Sequence, residues 1–229
     1  MPRPQTPSDL SDLVDRDLNW RVREISDLRG AADRADAQLC GAIVRGGVTL
    51  LYAHWEGHIR FVAERYLEFL TIRKLRFREL KPAFRLGQFH RYFVPGAIPT
   101  TYAGRLSLLS EVSGSANERF SQVNRDLVGT RSNLSTGVLA DICCALSIDP
   151  EEFSSASDFI DKILLHKRNG IAHGEQVTIG LSDFRDMSDR VIELMRRFKN
   201  IVENDVTLQG YRVGPAVEVA RAGRTGNPL

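Results

Sequence analysis

Residues 44–77 read VRGGVTLLYAHWEGHIRFVAERYLEFLTIRKLRF, and an apolar side chain recurs there every three or four positions. The recurring positions are Val44, Val48, Leu51, Trp55, Ile59, Val62, Tyr66 and Phe69. This spacing predicts a continuous amphipathic α-helix that is long enough to span a small domain. We expect it to be the main core helix.

Two other segments carry the same helical spacing. The first runs from Ser8 to about Gln38 and the last from about Ser182 to Asn204. Glycine and proline residues interrupt the pattern after the long helix, so residues 79–100 are expected to form a loop or an inserted excursion. A weaker helical region follows and ends at residues 133–146.

The segment before the last helix has its own start and stop signals. Pro150 follows Asp149 where a first helical turn tolerates proline. Ser157 is a candidate N-cap for a helix that turns Phe159, Ile160, Ile163 and Leu164 inward, and Gly174 is its expected left-handed C-cap. We therefore predict one all-α domain over residues 1–209, with a possible insertion at 79–132 and a flexible tail at 210–229.

Bulk composition narrows the class of protein. The 31 basic and 29 acidic side chains leave a net charge of only +2, so the whole-chain charge makes no case for a polyanionic partner. The three cysteines fit neither a disulfide framework nor a zinc site. Because the sequence shows no signal peptide and no membrane-spanning apolar run, we expect a cytoplasmic protein.

The segment LLHKRNGIAHGE (residues 164–175) resembles the Arg-x4-6-His signature of the HEPN superfamily, including its preference for Asn after the Arg. LYAHWEG (residues 51–57) is similar to the same region of stand-alone prokaryotic HEPN proteins of the MAE type. The resemblance covers about residues 10–205. It implies an all-α HEPN-like bundle that dimerises with its motifs facing each other. Residues 79–132, the predicted inserted loop or helical excursion, have no counterpart in this resemblance.

The resemblance also implies RNA cleavage without a metal or other cofactor. His173 would act as acid or base, since histidine exchanges protons near neutral pH. Arg168 would hold the phosphate through its planar fork. By its spacing of four from His173, Asn169 is a candidate to orient the imidazole. Glu56 either pairs with Arg168 or is a carboxylate on the helix surface, and His166 either assists in phosphate binding or is a surface residue.

The five-residue spacing of the motif raises a geometric problem. On a straight helix, Arg168 and His173 point about 140° apart. Either the chain bends at Gly170 or Gly174, or the site combines motifs from two chains. A structural alternative is that both cations only complement the dipole at the helix end.

Two further patterns have functional and structural interpretations. His54 and His58, four residues apart, can face one metal ion, although no third ligand is evident and buried or solvated histidines are commoner. The basic run Arg73, Lys74, Arg76, Arg78, Lys81, Arg85 and Arg91 is interleaved with Phe77, Phe84, Phe89 and Tyr92. It predicts RNA binding by Arg73, Lys74, Arg76 and Arg85 with bases stacked on the aromatic rings, or else a solvated helix face above an apolar underside.

These patterns favour a metal-independent endoribonuclease that acts as the toxin or effector of a prokaryotic toxin-antitoxin or defence system. Its expected partners are RNA, a second copy of the chain and possibly an antitoxin protein. The alternative is a non-catalytic HEPN scaffold that binds nucleotide, RNA or a partner protein.

Overall fold

The computed structural model describes residues 3–92, 96–130 and 133–214. Secondary structure there is helical, interrupted by two isolated β-bridges, so the predicted all-α class is confirmed. The α-helices are α1 (Pro7–Arg34), α2 (Ala37–Arg73), α3 (Pro82–Gln88), α4 (Tyr102–Gly114), α5 (Thr136–Ala145), α6 (His166–Ala172) and α7 (Leu181–Thr207). None of the described helices is both long and apolar enough to cross a lipid bilayer.

Local capping sets the ends of the first two helices. Thr6 and Asp9 cap α1 reciprocally, and Pro7 occupies the first turn, where a missing N–H costs nothing. The carboxylate of Asp36 accepts from the backbone N–H of Leu39 and starts α2 only three residues after α1 ends. The left-handed conformation of Lys74, with φ 49°, ends α2. The predicted main helix is therefore real, but it begins and ends earlier than residues 44–77.

The core lies between α1, α2 and α7, and α6 packs on the free side of α2. Trp55, Tyr66 and Phe69 of α2 are fully buried, as the apolar spacing predicts. Gly47 brings α2 close to α7, because a Cβ at this position would lie 2.7 Å from Cζ of Phe184. Burial of these large apolar side chains makes the largest favourable contribution to the free energy of folding.

Residues 79–132, predicted as an inserted loop or helical excursion, contain two helices, α3 and α4. The helix α3 lies within this region, and Leu80, Phe84 and Val128 join the same buried core as α2. By contrast, α4 has no buried residue. The division into one domain with an insertion stays a prediction.

The chain folds back along α2 after α4, and we call residues 118–130, 133 and 134 the return segment. It begins with a bridge between Arg76 and Arg119, made by Phe77 N–H to the carbonyl of Glu118 (3.0 Å) and Phe120 N–H to the carbonyl of Leu75 (2.9 Å). A short 3-10 turn at Arg125–Val128 packs on α2 before the chain enters α5. The return segment therefore connects the far end of α2 to the motif region.

The helix that leads into the motif is irregular. A 3-10 stretch, Pro150–Ala156, passes without a break through Ser157 and Asp158 into a π-helical stretch, Phe159–Leu165, and then into α6. Ser157 has helical backbone angles and is not an N-cap, because helix formation starts at Pro150 with Asp149 as the cap. The wider turn of the π stretch also leaves Ile163 39% exposed, so its predicted inward position is wrong.

The C-terminal boundary of the fold lies beyond the predicted one. Tyr211 is buried and packs edge-to-face on Phe69, and its carbonyl accepts from the N–H of Lys81 at 2.9 Å. Residues 210–214 therefore belong to the folded part rather than to the predicted tail. The remainder of that tail, residues 215–229, lies outside the described residues.

Candidate active site

The motif helix ends at a glycine cap. Gly174 has φ +81°, and its N–H donates to the carbonyl of Ile171 (3.1 Å), while the N–H of Glu175 donates to the carbonyl of Gly170 (2.9 Å). These two bonds form a Schellman motif and satisfy carbonyls that the helix end would leave open. The predicted C-cap at Gly174 is confirmed. The helix continues through Gly170, so the chain does not bend there.

Gly170 has a packing role instead. A Cβ at this position would lie 2.9 Å from Oε2 of Glu175 and 3.0 Å from Cγ2 of Val177, so glycine lets the segment after the cap fold closely over the helix. Arg45 of α2 holds the same segment from the other side, since its Nη2 donates to the carbonyl of Glu175 at 2.9 Å. The backbone that follows His173 is thereby anchored to α2.

The guanidinium of Arg168 is held in one orientation. Its Cζ lies 4.7 Å from the centroid of the Tyr52 ring, and its Nη1 donates to Oδ1 of Asn133 (2.9 Å) and Oδ1 of Asn169 (2.7 Å). No other hydrogen bond of this guanidinium occurs within the part of the chain that the structure describes. Donors on Nε and Nη2 thus remain for an oxyanion while a ring and two amides fix the plane.

Tyr52 links three elements beneath Arg168. The side chain is buried, and its hydroxyl oxygen accepts from the backbone N–H of Leu134. Burial, together with the nearby charge of Glu56, raises the pKa of Tyr52 to about 12, against opposing effects of the Leu134 N–H and of Arg168. The phenol therefore stays protonated at neutral pH and donates to Glu56.

Glu56 supports Arg168 only through Tyr52. Its carboxylate accepts from the hydroxyls of Tyr52 and Thr130. No ion pair joins Glu56 to Arg168 among the described side chains, so the predicted direct pairing is wrong. Instead, the carboxylate of Glu56 accepts from the hydroxyl of Thr130, and Nη1 of Arg168 donates to the amide oxygens of Asn133 and Asn169. Sequence reasoning missed Tyr52, although its spacing of four from Glu56 places the two on one helix face.

His173 lies exposed at the end of α6, directly before the glycine cap. Its backbone N–H donates to the carbonyl of Asn169 at 2.9 Å. The side chain of Asn169 is committed to Arg168, so the predicted hydrogen bond from Asn169 to the imidazole is wrong. The imidazoles of His173 and His166 are both exposed and have no hydrogen-bond or ion-pair partner among residues 3–92, 96–130 and 133–214. One chain therefore brings Arg168, Asn169, Tyr52 and Asn133 together but does not add His173 to them.

His54 and His58 face different carboxylates and not a common site. Nδ1 of His58 lies 2.7 Å from Oδ2 of Asp17, which also accepts from Nε of Arg21 at 2.8 Å. Nε2 of His54 lies 2.9 Å from Oε2 of Glu24, and burial lowers the pKa of His54 against the opposing charge of Glu24. The described residues hold no group of three potential metal ligands. Both histidines join α1 to α2, which gives the metal-site interpretation no support.

The basic run is remote from the motif. At about 1.5 Å per residue, Arg73 and Lys74 lie roughly 30 Å from Tyr52 along α2. Phe77, Phe84 and Phe89 are buried, so the prediction that these rings stack RNA bases is wrong.

The remaining members of the run differ in their contacts. Nε of Arg85 donates to Oγ of Ser115 at 2.9 Å, and the backbone N–H of Arg76 donates to Oε2 of Glu79 at 2.8 Å. The side chain of Arg91 lies outside the described residues. Of the four residues named for RNA binding, Arg73 and Lys74 are exposed and Arg76 and Arg85 are half-buried; Arg78 of the same run is exposed as well.

Comparison of the chain with known proteins identifies its family. No curated protein and no solved structure matches the chain. The model of the family described as RiboL-PSP-HEPN matches residues 16–204, which include α2, the return segment and the whole motif. The chain therefore belongs to the RiboL-PSP-HEPN family of the HEPN superfamily.

Proposed function

Within the RNase-type or nucleotide-related functions that the HEPN family suggests, we propose that this chain is a metal-independent endoribonuclease. The observation that carries the proposal is the fixed guanidinium of Arg168, oriented by Tyr52, Asn133 and Asn169 with donors left over. A planar, permanently charged fork matches two oxygens of a phosphodiester. A cation that only complemented the helix end would instead point at the last carbonyls.

The chemistry needs proton transfer at two oxygens. A base removes the proton of the ribose 2'-hydroxyl, whose oxygen attacks phosphorus, and the bond from phosphorus to the 5'-oxygen breaks as an acid protonates that oxygen. The products are a 2',3'-cyclic phosphate and a 5'-hydroxyl. In our proposal Arg168 stabilises the negative charge that builds on the phosphorane oxygens, and the exposed His173 transfers protons.

The proposed working form is a homodimer. The unbent helix keeps Arg168 and His173 about 140° apart, so one chain does not direct both at the same phosphate. A second copy across a two-fold axis supplies the missing groups, and two imidazoles permit one to act as base and the other as acid. We further propose, from the family resemblance, a toxin or effector role in a prokaryotic toxin-antitoxin or defence system, with an antitoxin protein as a possible partner.

The decisive experiment replaces His173 by alanine. Cleavage of RNA by the wild type should persist in excess chelator and leave 2',3'-cyclic phosphate ends. His173→Ala should lower the rate about 10² to 10⁴-fold, the usual worth of general acid-base catalysis. The melting temperature should barely change, because this side chain is exposed. Light scattering should give twice the mass of the chain.

His90→Ala is the control. It also removes an imidazole, but from the 3-10 turn His90–Tyr92, which follows α3 and is far from the motif in sequence. It should cleave as fast as the wild type. If the wild type cuts no RNA, or if His173→Ala folds and cuts equally fast, the catalytic assignment fails. A non-catalytic HEPN scaffold would then be the better account.

A further inference from the structure

Three cations lie along the start of the return segment, where it passes the C-terminal end of α2. Nη1 of Arg119 donates to the carbonyl of Lys74 at 2.7 Å, which places these two exposed cations side by side. Further along, the side chain of Arg125 is 67% exposed, with Nη2 at 3.6 Å from Oε1 of Glu68. Glu68 itself is buried and already paired with Arg65 at 2.8 Å, so it neutralises Arg125 only in part.

The contacts of the return segment show its direction. Arg119 contacts the end of α2 at Lys74, Thr130 bonds Glu56 farther back along the helix, and the N–H of Leu134 reaches Tyr52. The segment thus runs antiparallel to α2 and arrives at the ring on which Arg168 lies. The same peptide carries Arg119 and Arg125 at its start and Asn133, which fixes Arg168, at its end.

The surroundings of this row favour a polyanion. Glu118 and Asp126 are the carboxylates within the described return segment, and the amide of Gln88 donates to Glu118 at 2.8 Å. A groove of about 550 Å³ opens beside Arg119. Its lining combines polar side chains such as Ser121, Gln122 and Asn124 with apolar ones such as Phe120, Val123 and Leu127. Cations that follow a groove with hydrogen-bonding groups are typical of surfaces that bind a single nucleic-acid strand.

We propose that Lys74, Arg119 and Arg125 form the outer end of a docking track for the backbone of single-stranded RNA, whose other end is Arg168. What the track is for, delivery of RNA to be cleaved, rests on the proposed function. Binding of RNA to the track is measurable without cleavage. Lys74 lies about 33 Å from Tyr52 along α2, which corresponds to roughly ten stacked nucleotides at about 3.4 Å each. The track therefore selects RNA of about this length or longer.

Binding of labelled RNA to His173→Ala protein tests the track without interference from cleavage. Fluorescence anisotropy is measured against salt for unstructured oligonucleotides of about 16 and about 4 nucleotides, the range of single-strand sites. The track variant is Lys74→Asn/Arg119→Gln/Arg125→Gln, in which asparagine suits the φ of 49° at position 74. The control, Arg16→Gln/Arg23→Gln/Arg196→Gln, removes the same charge from exposed positions on α1 and α7.

The track variant should lower the slope of log K against log salt for the long RNA by about 2, at roughly 0.7 per lost phosphate contact. The control should leave both slopes nearly unchanged. Should the triple variant misfold, Arg125→Gln alone should lower the slope by about 0.7, since this exposed side chain carries little of the fold.

Three results overturn the track: absence of long-RNA binding at low salt, an unchanged slope in the track variant, or an equal loss in the control. Failure of the proposed function has a different signature. In that case the wild type cuts no RNA although the track variant still loses binding to the long oligonucleotide.

Discussion

Replacing Tyr52 by leucine removes the ring on which the guanidinium of Arg168 lies, 4.7 Å from the ring centroid. A cation over an aromatic face gains about 0.5 kcal/mol when exposed and about 2 kcal/mol when desolvated. Arg168 is half-buried, so the loss should fall between these limits. If this energy orients Arg168 for the transition state, Tyr52→Leu should lower kcat/KM of RNA cleavage by about 2- to 30-fold.

Tyr52→Phe separates the ring from the hydroxyl. Both variants lose the acceptor for the N–H of Leu134 and the donor to Glu56, and leaving buried polar groups unpaired costs about 1 to 3 kcal/mol. In a chain of this size the melting temperature should fall by about 2 to 4 °C per kcal/mol in either variant. Tyr52→Phe keeps the ring and should retain most of the activity.

The assay compares initial rates on one RNA substrate with melting temperatures for the wild type and both variants. Equal loss of activity in Tyr52→Phe and Tyr52→Leu would refute the ring's role, since Arg168 would then be positioned by the hydrogen bonds of the return segment. Unchanged activity in Tyr52→Leu would mean that Asn133 and Asn169 suffice to hold the guanidinium.

Two further predictions concern stability. Gly47→Ala should destabilise the protein by about 1 to 3 kcal/mol in urea unfolding, because the new Cβ would lie 2.7 Å from the buried ring of Phe184. Gly46→Ala, with nothing within 4 Å of its Cβ, should be neutral or stabilising, and an equal loss in both would contradict the close approach of α2 to α7. Burial lowers the pKa of His54 below 6.5, so between 6.5 and the folded pKa the unfolded chain binds more protons there than the folded one. This contribution to stability is therefore complete above pH 6.5 and is lost as pH drops from 6.5 towards the folded pKa. Melting temperatures between pH 7.5 and 5 should show this loss, and a His54→Gln variant with the same slope as the wild type would exclude His54 as its source.

The apolar periodicity predicts the long helices but does not predict where they begin and end. The apolar positions of α2 repeat over many turns, so any window of the pattern reports the same buried face. The ends depend on single residues: Asp36 caps α2, and a left-handed Lys74 terminates it. The motif and its cap at Gly174 were readable because a helix stop is a local signal.

Side-chain partners were much less predictable than helices. The π stretch before α6 changes which residues point inward, and periodicity assumes α-helical pitch, so Ile163 was misplaced. The alternation of arginine and phenylalanine in residues 73–92 is equally compatible with a binding face and with a core edge. In the structure, packing against residues that are distant in sequence buries Phe77 and Phe84.

The candidate site shows the same division between local and distant information. The sequence identifies Arg168 and His173 through their spacing, but the groups that orient Arg168 come from α2 and from the return segment. Asn133 stands 35 residues from Arg168 in the chain, a separation at which no local pattern signals contact. Tyr52 was within a quoted segment, yet only the packing of α6 on α2 reveals its ring as the support.

The buried cluster of Asp17, Arg21 and His58 has a consequence for the alignment of the two longest neighbours in the core. Arg21 lies directly against Gly57, where a Cβ would be 2.8 Å from its Nη1, and Asp17 binds both Arg21 and His58. Two helices that contact each other only through apolar side chains can slide by one turn, because leucine and valine find equivalent neighbours after the shift. Sliding α1 past α2 would leave a carboxylate and a guanidinium buried without their partners, which costs several kcal/mol. The cluster thereby selects a single register for two helices whose hydrophobic faces permit several.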